Sequence, residues 1–377
     1  MSSTPRRVLV IGGGAAGNTA TILLRRAGID VDLVEAKDDW NATAGSGITL
    51  QGNALRVLRE LGVWDQVKAS GFPFGSVGIT APDGTVLHVQ RDLRTGGDDL
   101  PATVGMQRPR LQRILIDAVR AGGATVRLGT TATVLDQDAS GVTVRLSDGG
   151  EHRYDLVIAA DGLGSATRAQ IGISDKPEPT GMAIWRVAAP RPVGVERTDL
   201  AYGGPAFIAG YCPTSDTTLY AYVVEKNRDR SSLPVETYAE EMVRLSSAYG
   251  GAWPEITATI TDPSKVNYTW FDRLLVEGSW HRGRVVLVGD AAHCCPPTLA
   301  QGAALSLEDA WVLAQMLTEA DGWDEELLQA YYERRITRVR PVVEASVQIG
   351  RWQLDGVRDA DVPGLMATTM SILRELP

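Results

Sequence analysis

An α/β fold with a second, β-rich region and a helical tail is predicted by three observations along the 377-residue chain. Continuous apolar runs at residues 8–11, 156–160 and 285–288 read as parallel strands buried on both faces. Helix-patterned segments follow at 15–27 and 303–317. Between them, residues 72–90 and 181–267 break into short β runs separated by turn residues. The length suits two interleaved domains.

Composition narrows the function classes. A hydrophobic fraction of 44% and a charged fraction of 22% are those of a soluble globular protein. A net charge of −9 argues against nucleic acid, which selects a basic face, and against anionic lipid. The three cysteines, Cys212, Cys294 and Cys295, have neither disulfide-framework nor zinc-site spacing, so reduced thiols in a cytoplasm are expected. Arg6 and Arg7 before an apolar run superficially resemble an export signal. Gly12, Gly13 and Gly14 interrupt that run, and no targeting peptide is read. No stretch approaches the roughly 18 apolar residues of a membrane span.

The first strand runs directly into Gly12, Gly14 and Gly17, a G-x-G-x-x-G, and then a helix over 15–27 with Gly28 at its stop. A second strand over 31–34 ends at Glu35. Gly12 permits the tight turn, Gly14 lets the backbone approach a pyrophosphate, and Gly17 lets helix and strand pack closely. The helix start, with Ala15 and Ala16, offers unpaired N–H groups and partial positive charge. Glu35, followed by Ala36, lies where a carboxylate accepts from both ribose hydroxyls. The same charge repels a 2′-phosphate, so this site is expected to hold FAD or NAD rather than NADP.

Two later motifs decide between them. The run over 156–160 ends in Asp161-Gly162 within DLVIAADGLGSATR, and RGRVVLVGDAAH ends its strand in Gly289-Asp290. HCCPPTLAQGAALSLEDA then turns through prolines into a helix. An N-terminal G-x-G-x-x-G, a central D-G and a late G-D with H-x-x-x-P resemble the class A, single-component flavoprotein monooxygenases related to p-hydroxybenzoate hydroxylase, over essentially the whole chain.

That resemblance implies a Rossmann-like FAD-binding domain from 1–71, 101–180 and 268–320, an interleaved β-sheet substrate domain from 72–100 and 181–267, and C-terminal helices over 321–377. Asp290 is then expected at the ribityl chain, and Asp161 and Gly162 near both FAD and transient NAD(P)H. Arg108, at the head of a helix, is expected against FAD, and Arg168 at a phosphate. Gln301, Gly302 and Ala303 are expected to aim N–H groups at the flavin pyrimidine edge, where reduced flavin is anionic. Where relatives often have P-x-x-G-Q-G-x-N, this chain has Ala300 for the first glycine and Ala304 for the asparagine. The segment over 44–53 also lacks an arginine some relatives place beside the pyrophosphate.

The reaction implied is hydride transfer from NADPH or NADH to FAD, a C4a-hydroperoxide formed with O2, and oxygen transfer to a small aromatic or heteroaromatic ring. A dry, mostly apolar chamber suits that chemistry. Tyr220 and Tyr222 in TLYAYVV are two apart on a strand and share a face, which is expected to look into the chamber. Pro297 is expected to line it; Arg186 and His88 are candidates for further contacts, with a satisfied structural role the alternative, and the favoured one, for each. Pro297, Tyr220 and Tyr222 are the catalytic candidates. YCPTSDTTLY resembles flavoenzymes that oxygenate pyridine carboxylates, but Ile208 stands where those have an arginine. His293 is expected to be structural. A monomer or homodimer without metal is expected. The rival readings are a flavin-dependent reductase or dehydrogenase of the same fold and a flavin-binding sensor. A halogenase is disfavoured because no W-x-W-x-x-I-P is present.

Overall fold

The computed structural model describes residues 6–42, 46–229 and 232–377. Val8, Leu9 and Val10 have no solvent exposure, as the unbroken apolar run requires. Their strand, Arg7–Ile11, is central in a six-stranded sheet. On one side it pairs in parallel with Leu156–Ala159, which pairs in parallel with Val285–Leu287, itself paired with the short antiparallel His281–Arg282 at the edge. On the other side lie Asp30–Glu35 and Thr125–Leu128, also parallel.

Strand alternation divides this sheet's side chains between two layers. Val8, Val10, Val31, Leu33 and Ile158 join the helical core. Leu9, Ile11, Val34 and Val157 pack against Val142, Val144, Leu146 and Tyr154 of a three-stranded antiparallel sheet. The helices of the first layer are Ala15–Arg26, Arg108–Ala121 and Gly302–Glu319.

A mixed eight-stranded sheet forms the second unit, in the order His293–Cys294, Asn267–Leu275, Glu178–Pro190, Thr218–Lys226, Ile208–Pro213, Thr198–Tyr202, Ser76–Thr80, Val86–Arg91. One face (Trp185, Val187, Ala209, Tyr211, Leu219, Ala221, Val223) is buried under the helices Tyr238–Ser246 and Trp253–Thr257. The opposite face carries Arg186, Tyr220 and Tyr222. Phe72–Phe74 does not join this sheet. It pairs with Thr103–Met106, which also pairs with Ile48–Gln51.

The tail forms Glu325–Leu354 and Val362–Arg374. It is no appendage. Arg335, wholly buried, donates through Nε to Asp309 Oδ1 at 2.7 Å. Arg338 donates to both oxygens of Glu308 at 2.8 Å each, and to the Ile372 and Leu373 carbonyls. Among the described residues no helix is long and apolar enough to cross a membrane.

Candidate functional site: a dinucleotide cradle and a tyrosine-lined chamber

Each glycine of the first motif meets a different constraint. Gly12 has φ +103°, and a Cβ there would sit 2.3 Å from the Ala160 carbonyl oxygen. A Cβ on Gly17 would lie 1.9 Å from the Gly12 carbonyl oxygen. A Cβ on Gly14 would meet nothing within 4 Å, so the space in front of that backbone is open. The Gly13 carbonyl is pinned by three donors: Asn18 Nδ2 at 2.9 Å, Trp40 Nε1 at 2.9 Å and Gln112 Nε2 at 2.7 Å. The loop is therefore held from behind while its front stays clear.

Glu35 shares in this arrangement. One carboxylate oxygen accepts from Gly13 N at 2.8 Å and the other from Lys37 N at 3.0 Å. Ala36 beside it is exposed. Ala15, Ala16 and Gly17 form the first turn of the helix, whose free N–H groups face the open side. Backbone donors, a clear approach and a terminal carboxylate fit the pyrophosphate and ribose of FAD. Trp40 and Gln112 were not legible as parts of this cradle, because they converge on it from separate segments.

Asp161 turns back on its own chain. It accepts from the Ser165 hydroxyl at 2.6 Å and from Thr167 N at 3.0 Å, closing the turn into helix Ala166–Gln170. Gly162, at φ +79°, faces open space. Arg168 is committed to three carbonyls: Asp175 at 3.0 Å, Ala291 at 2.9 Å and Leu163 at 3.0 Å. The expected phosphate role therefore does not match its geometry; it staples the D-G segment to the G-D segment.

Gly289 takes φ +59°, and its N–H donates to Asp309 Oδ2 at 2.9 Å. That turn presents Asp290. Burial raises the Asp290 pKa, opposed by His293, Arg108 and a hydrogen bond from Ser306. A carboxylate partly withdrawn from water gains from the hydroxyls of a bound polyol. His293 Nε2 lies 2.6 Å from Asp309 Oδ2, with both side chains buried, so His293 is an interior hydrogen-bonding group. Asp309 is itself lowered: burial raises it, but His293 and Arg335 outweigh burial.

Pro297–Leu299 is a short 3-10 turn, and Ala300 follows in the left-handed region at φ +53°. Gln301 precedes the helix Gly302–Glu319, one residue earlier than the sequence predicts. Its side chain is fully buried and turned inward: Oε1 accepts from Asn53 Nδ2 at 3.0 Å, and Nε2 donates to Gln51. Any cofactor contact by Gln301 is left to its backbone. A Cβ on Gly302 would meet nothing within 4 Å, and Ala303 follows in the first turn.

The chamber face of the large sheet is set by register. Arg186 pairs with Tyr222, and Ala188 with Tyr220. Gly210 and Cys212 face the same two tyrosines from the next strand. The tyrosine rings stack with centroids 5.3 Å apart. Tyr220 Oη lies 3.3 Å from Thr49 Oγ1, and a Cβ on Gly47 would be 2.0 Å from the Tyr220 ring, so the Gly47 backbone lies against that ring. Gly47 and Thr49 pack against Tyr220, neighbours the sequence alone did not single out. Burial pushes the Tyr220 hydroxyl far above the ordinary tyrosine range, so it stays protonated and can donate.

Arg186 donates to the Thr269 hydroxyl at 3.0 Å and, among the described residues, pairs with no carboxylate. Burial lowers its pKa to about 10, with Arg108 adding to the shift and Tyr220 opposing it. Arg108, exposed at the start of its helix, thus acts electrostatically on both Arg186 and Asp290. Ile208, Val224 and Ile184 form an apolar patch next in line on the same face. His88 shares that face, but on the exposed edge strand four strands from the tyrosines, about 19 Å at the usual spacing.

This architecture, an α/β dinucleotide cradle beside a β-sheet face of stacked tyrosines, is that of a flavoprotein class. The FAD binding domain family matches residues 6–346. The chain is 32% identical over 374 residues to YetM of Bacillus subtilis (strain 168), covering 98% of this chain and 99% of that one. It is 30% identical to the 3-amino-4-hydroxybenzoate 2-monooxygenase PtnB3 of Streptomyces platensis, covering 91% and 87%. A solved variant of 2-methyl-3-hydroxypyridine-5-carboxylic acid oxygenase superposes with a TM-score of 0.80 at 26% identity, over 97% of this chain and 96% of that one. The chain belongs to the FAD-binding aromatic-hydroxylase family and is an FAD-dependent monooxygenase.

Proposed function

We propose that this enzyme consumes NADH or NADPH to hydroxylate a small aromatic or heteroaromatic ring that bears an acidic or strongly accepting oxygen. The observation that carries this reading is Arg186, a cation set among apolar groups on the chamber face, beside Tyr222 and without a carboxylate partner. A guanidinium taken out of water without a counter-charge is costly unless a ligand supplies one. Both named relatives with stated substrates act on ring carboxylic acids. Ile208 leaves its own strand without a cation, and Arg186 supplies one from the strand beyond Tyr222.

FAD in the cradle supplies hydride acceptance and oxygen activation. The chain's residues do the rest. Gly12, Gly14, Ala15, Ala16 and Gly17 hold the pyrophosphate, Glu35 and Ala36 the ribose end, and Asp290 the ribityl chain. Arg108, Gly162, Gly302 and Ala303 border the flavin. Asp161 shapes the turn that reaches toward NAD(P)H. Tyr220, kept protonated and shared with Thr49, donates to the ring substituent, while Tyr222 and Pro297 flank the ring. The large sheet, built mainly from residues 76–91 and 178–275, serves the substrate, the parallel-sheet layer serves the cofactor, and the helices over 321–377 brace both, in the cytoplasm.

A panel of aromatic acids and their neutral amides tests this, scored by NAD(P)H oxidation, oxygen uptake and peroxide release. Acids that stimulate coupled turnover, with Arg186→Leu raising their KM at unchanged FAD affinity, support it. Equal response to acids and amides would remove the anchor. Turnover under nitrogen would indicate a reductase, and no turnover with any ring a sensor.

A further inference from the structure

The left-handed residue at the cofactor loop is an alanine, and the chain surrounds it with fixed hydrogen bonds. Ala300 is the one non-glycine residue with positive φ among those described, at +53°. An L-residue with a Cβ disfavours that region, so a free loop of this sequence would relax elsewhere. Four hydrogen bonds prevent it. Gln51 Nε2 donates to the Leu299 carbonyl at 3.1 Å. Thr298 Oγ1 donates to the Ser346 carbonyl of the long C-terminal helix at 2.8 Å. Gln301 Nε2 donates to Gln51 Oε1, while Gln301 Oε1 accepts from Asn53, whose amide also reaches Glu308 Oε1 at 3.2 Å.

Gln51 is the junction. One end of its amide holds the residue before Ala300 and the other holds the residue after it. It also ends the strand Ile48–Gln51, whose Thr49 touches Tyr220. We propose that Gln51 is a positioning residue: it clamps the Leu299–Gln301 turn in its left-handed form, so that the helix start at Gly302 is already in place for FAD and in register with the chamber wall. The clamp replaces the conformational freedom a glycine at 300 would supply. Glu308, held by Arg338, anchors it through Asn53.

The test is a cycle of Gln51→Met, Ala300→Gly and the double variant in the full-length protein, stripped of flavin and titrated with FAD. Gln51→Met keeps volume and removes both hydrogen bonds. It should weaken FAD binding by roughly tenfold, the equivalent of one net hydrogen bond, and lower the bound-flavin midpoint potential as the helix start withdraws. Ala300→Gly alone should change FAD affinity by no more than about twofold, since the clamped turn is already formed. In the double variant, glycine accepts positive φ without the clamp, so most of the lost affinity and potential should return. Wild-type affinity in Gln51→Met, or a double variant no tighter than Gln51→Met, overturns the proposal. A merely structural defect would lower the melting temperature without moving the potential. Should Gln51→Met not fold, Gln51→Glu replaces it, keeping the acceptor for Gln301 while losing the donor to Leu299.

Discussion

Gly14→Val separates the cradle from the fold it sits on. Gly14 has φ −81°, a region open to any L-residue, and no atom beyond its own chain neighbours and helix backbone lies within 4 Å of its would-be Cβ. The apoprotein should therefore tolerate valine, with a stability change of about 0.5 kcal/mol or less. The valine side chain nevertheless fills the approach to the helix N–H groups. Charge-assisted hydrogen bonds contribute about 1.5–3 kcal/mol each, so losing two costs about 3–6 kcal/mol, or roughly 10²- to 10⁴-fold in affinity. Differential scanning of the apoprotein and titration of FAD by fluorescence quenching read the two effects separately. An FAD dissociation constant within threefold of wild type would refute the cradle. A melting temperature lowered by more than about 5 °C would refute the open-space argument.

Asp290→Ala should weaken FAD binding by roughly ten- to a hundredfold while raising apoprotein stability slightly, because a carboxylate disfavoured by burial is removed; unchanged FAD affinity would count against the ribityl role. Tyr220→Phe should leave FAD binding intact but raise substrate KM or peroxide release, and identical coupling would take Tyr220 out of the chamber chemistry. The Asp309 pKa is depressed, so its contribution is fully present above the unfolded value near 4 and is lost as pH falls below it. Asp309→Asn should cost about 3–5 kcal/mol at pH 7, and the gap to wild type should narrow as the pH falls below about 4 in urea melts. A gap constant across that window would show that the charge is not what stabilises.

How much was legible in the sequence depends on how local each cause is. Gly12 and Gly17 were readable because turn and helix–strand packing act within a few residues, and the structure finds carbonyls 2.3 and 1.9 Å from their would-be side chains. The shared face of Tyr220 and Tyr222 followed from strand alternation alone. The helix after Ala300 was placed within one residue of its observed start.

What lay out of reach involves partners hundreds of residues apart. Arg168 was expected at a phosphate, but its sequence neighbourhood could not reveal that the Ala291 carbonyl, 123 residues on, would take it up. Likewise, nothing near Gln51 announces Gln301, and nothing near Gly47 announces the ring of Tyr220. Local sequence determined the strands, the glycine turns and the cofactor class, because steric rules and backbone hydrogen bonding act over short spans. Only tertiary packing decided which polar groups were spent on the protein itself and which, like Arg186, were left without a carboxylate among the described residues. A buried polar group takes whatever partner the folded chain brings within about 3 Å, and that distance is set by how whole sheets and helices stack.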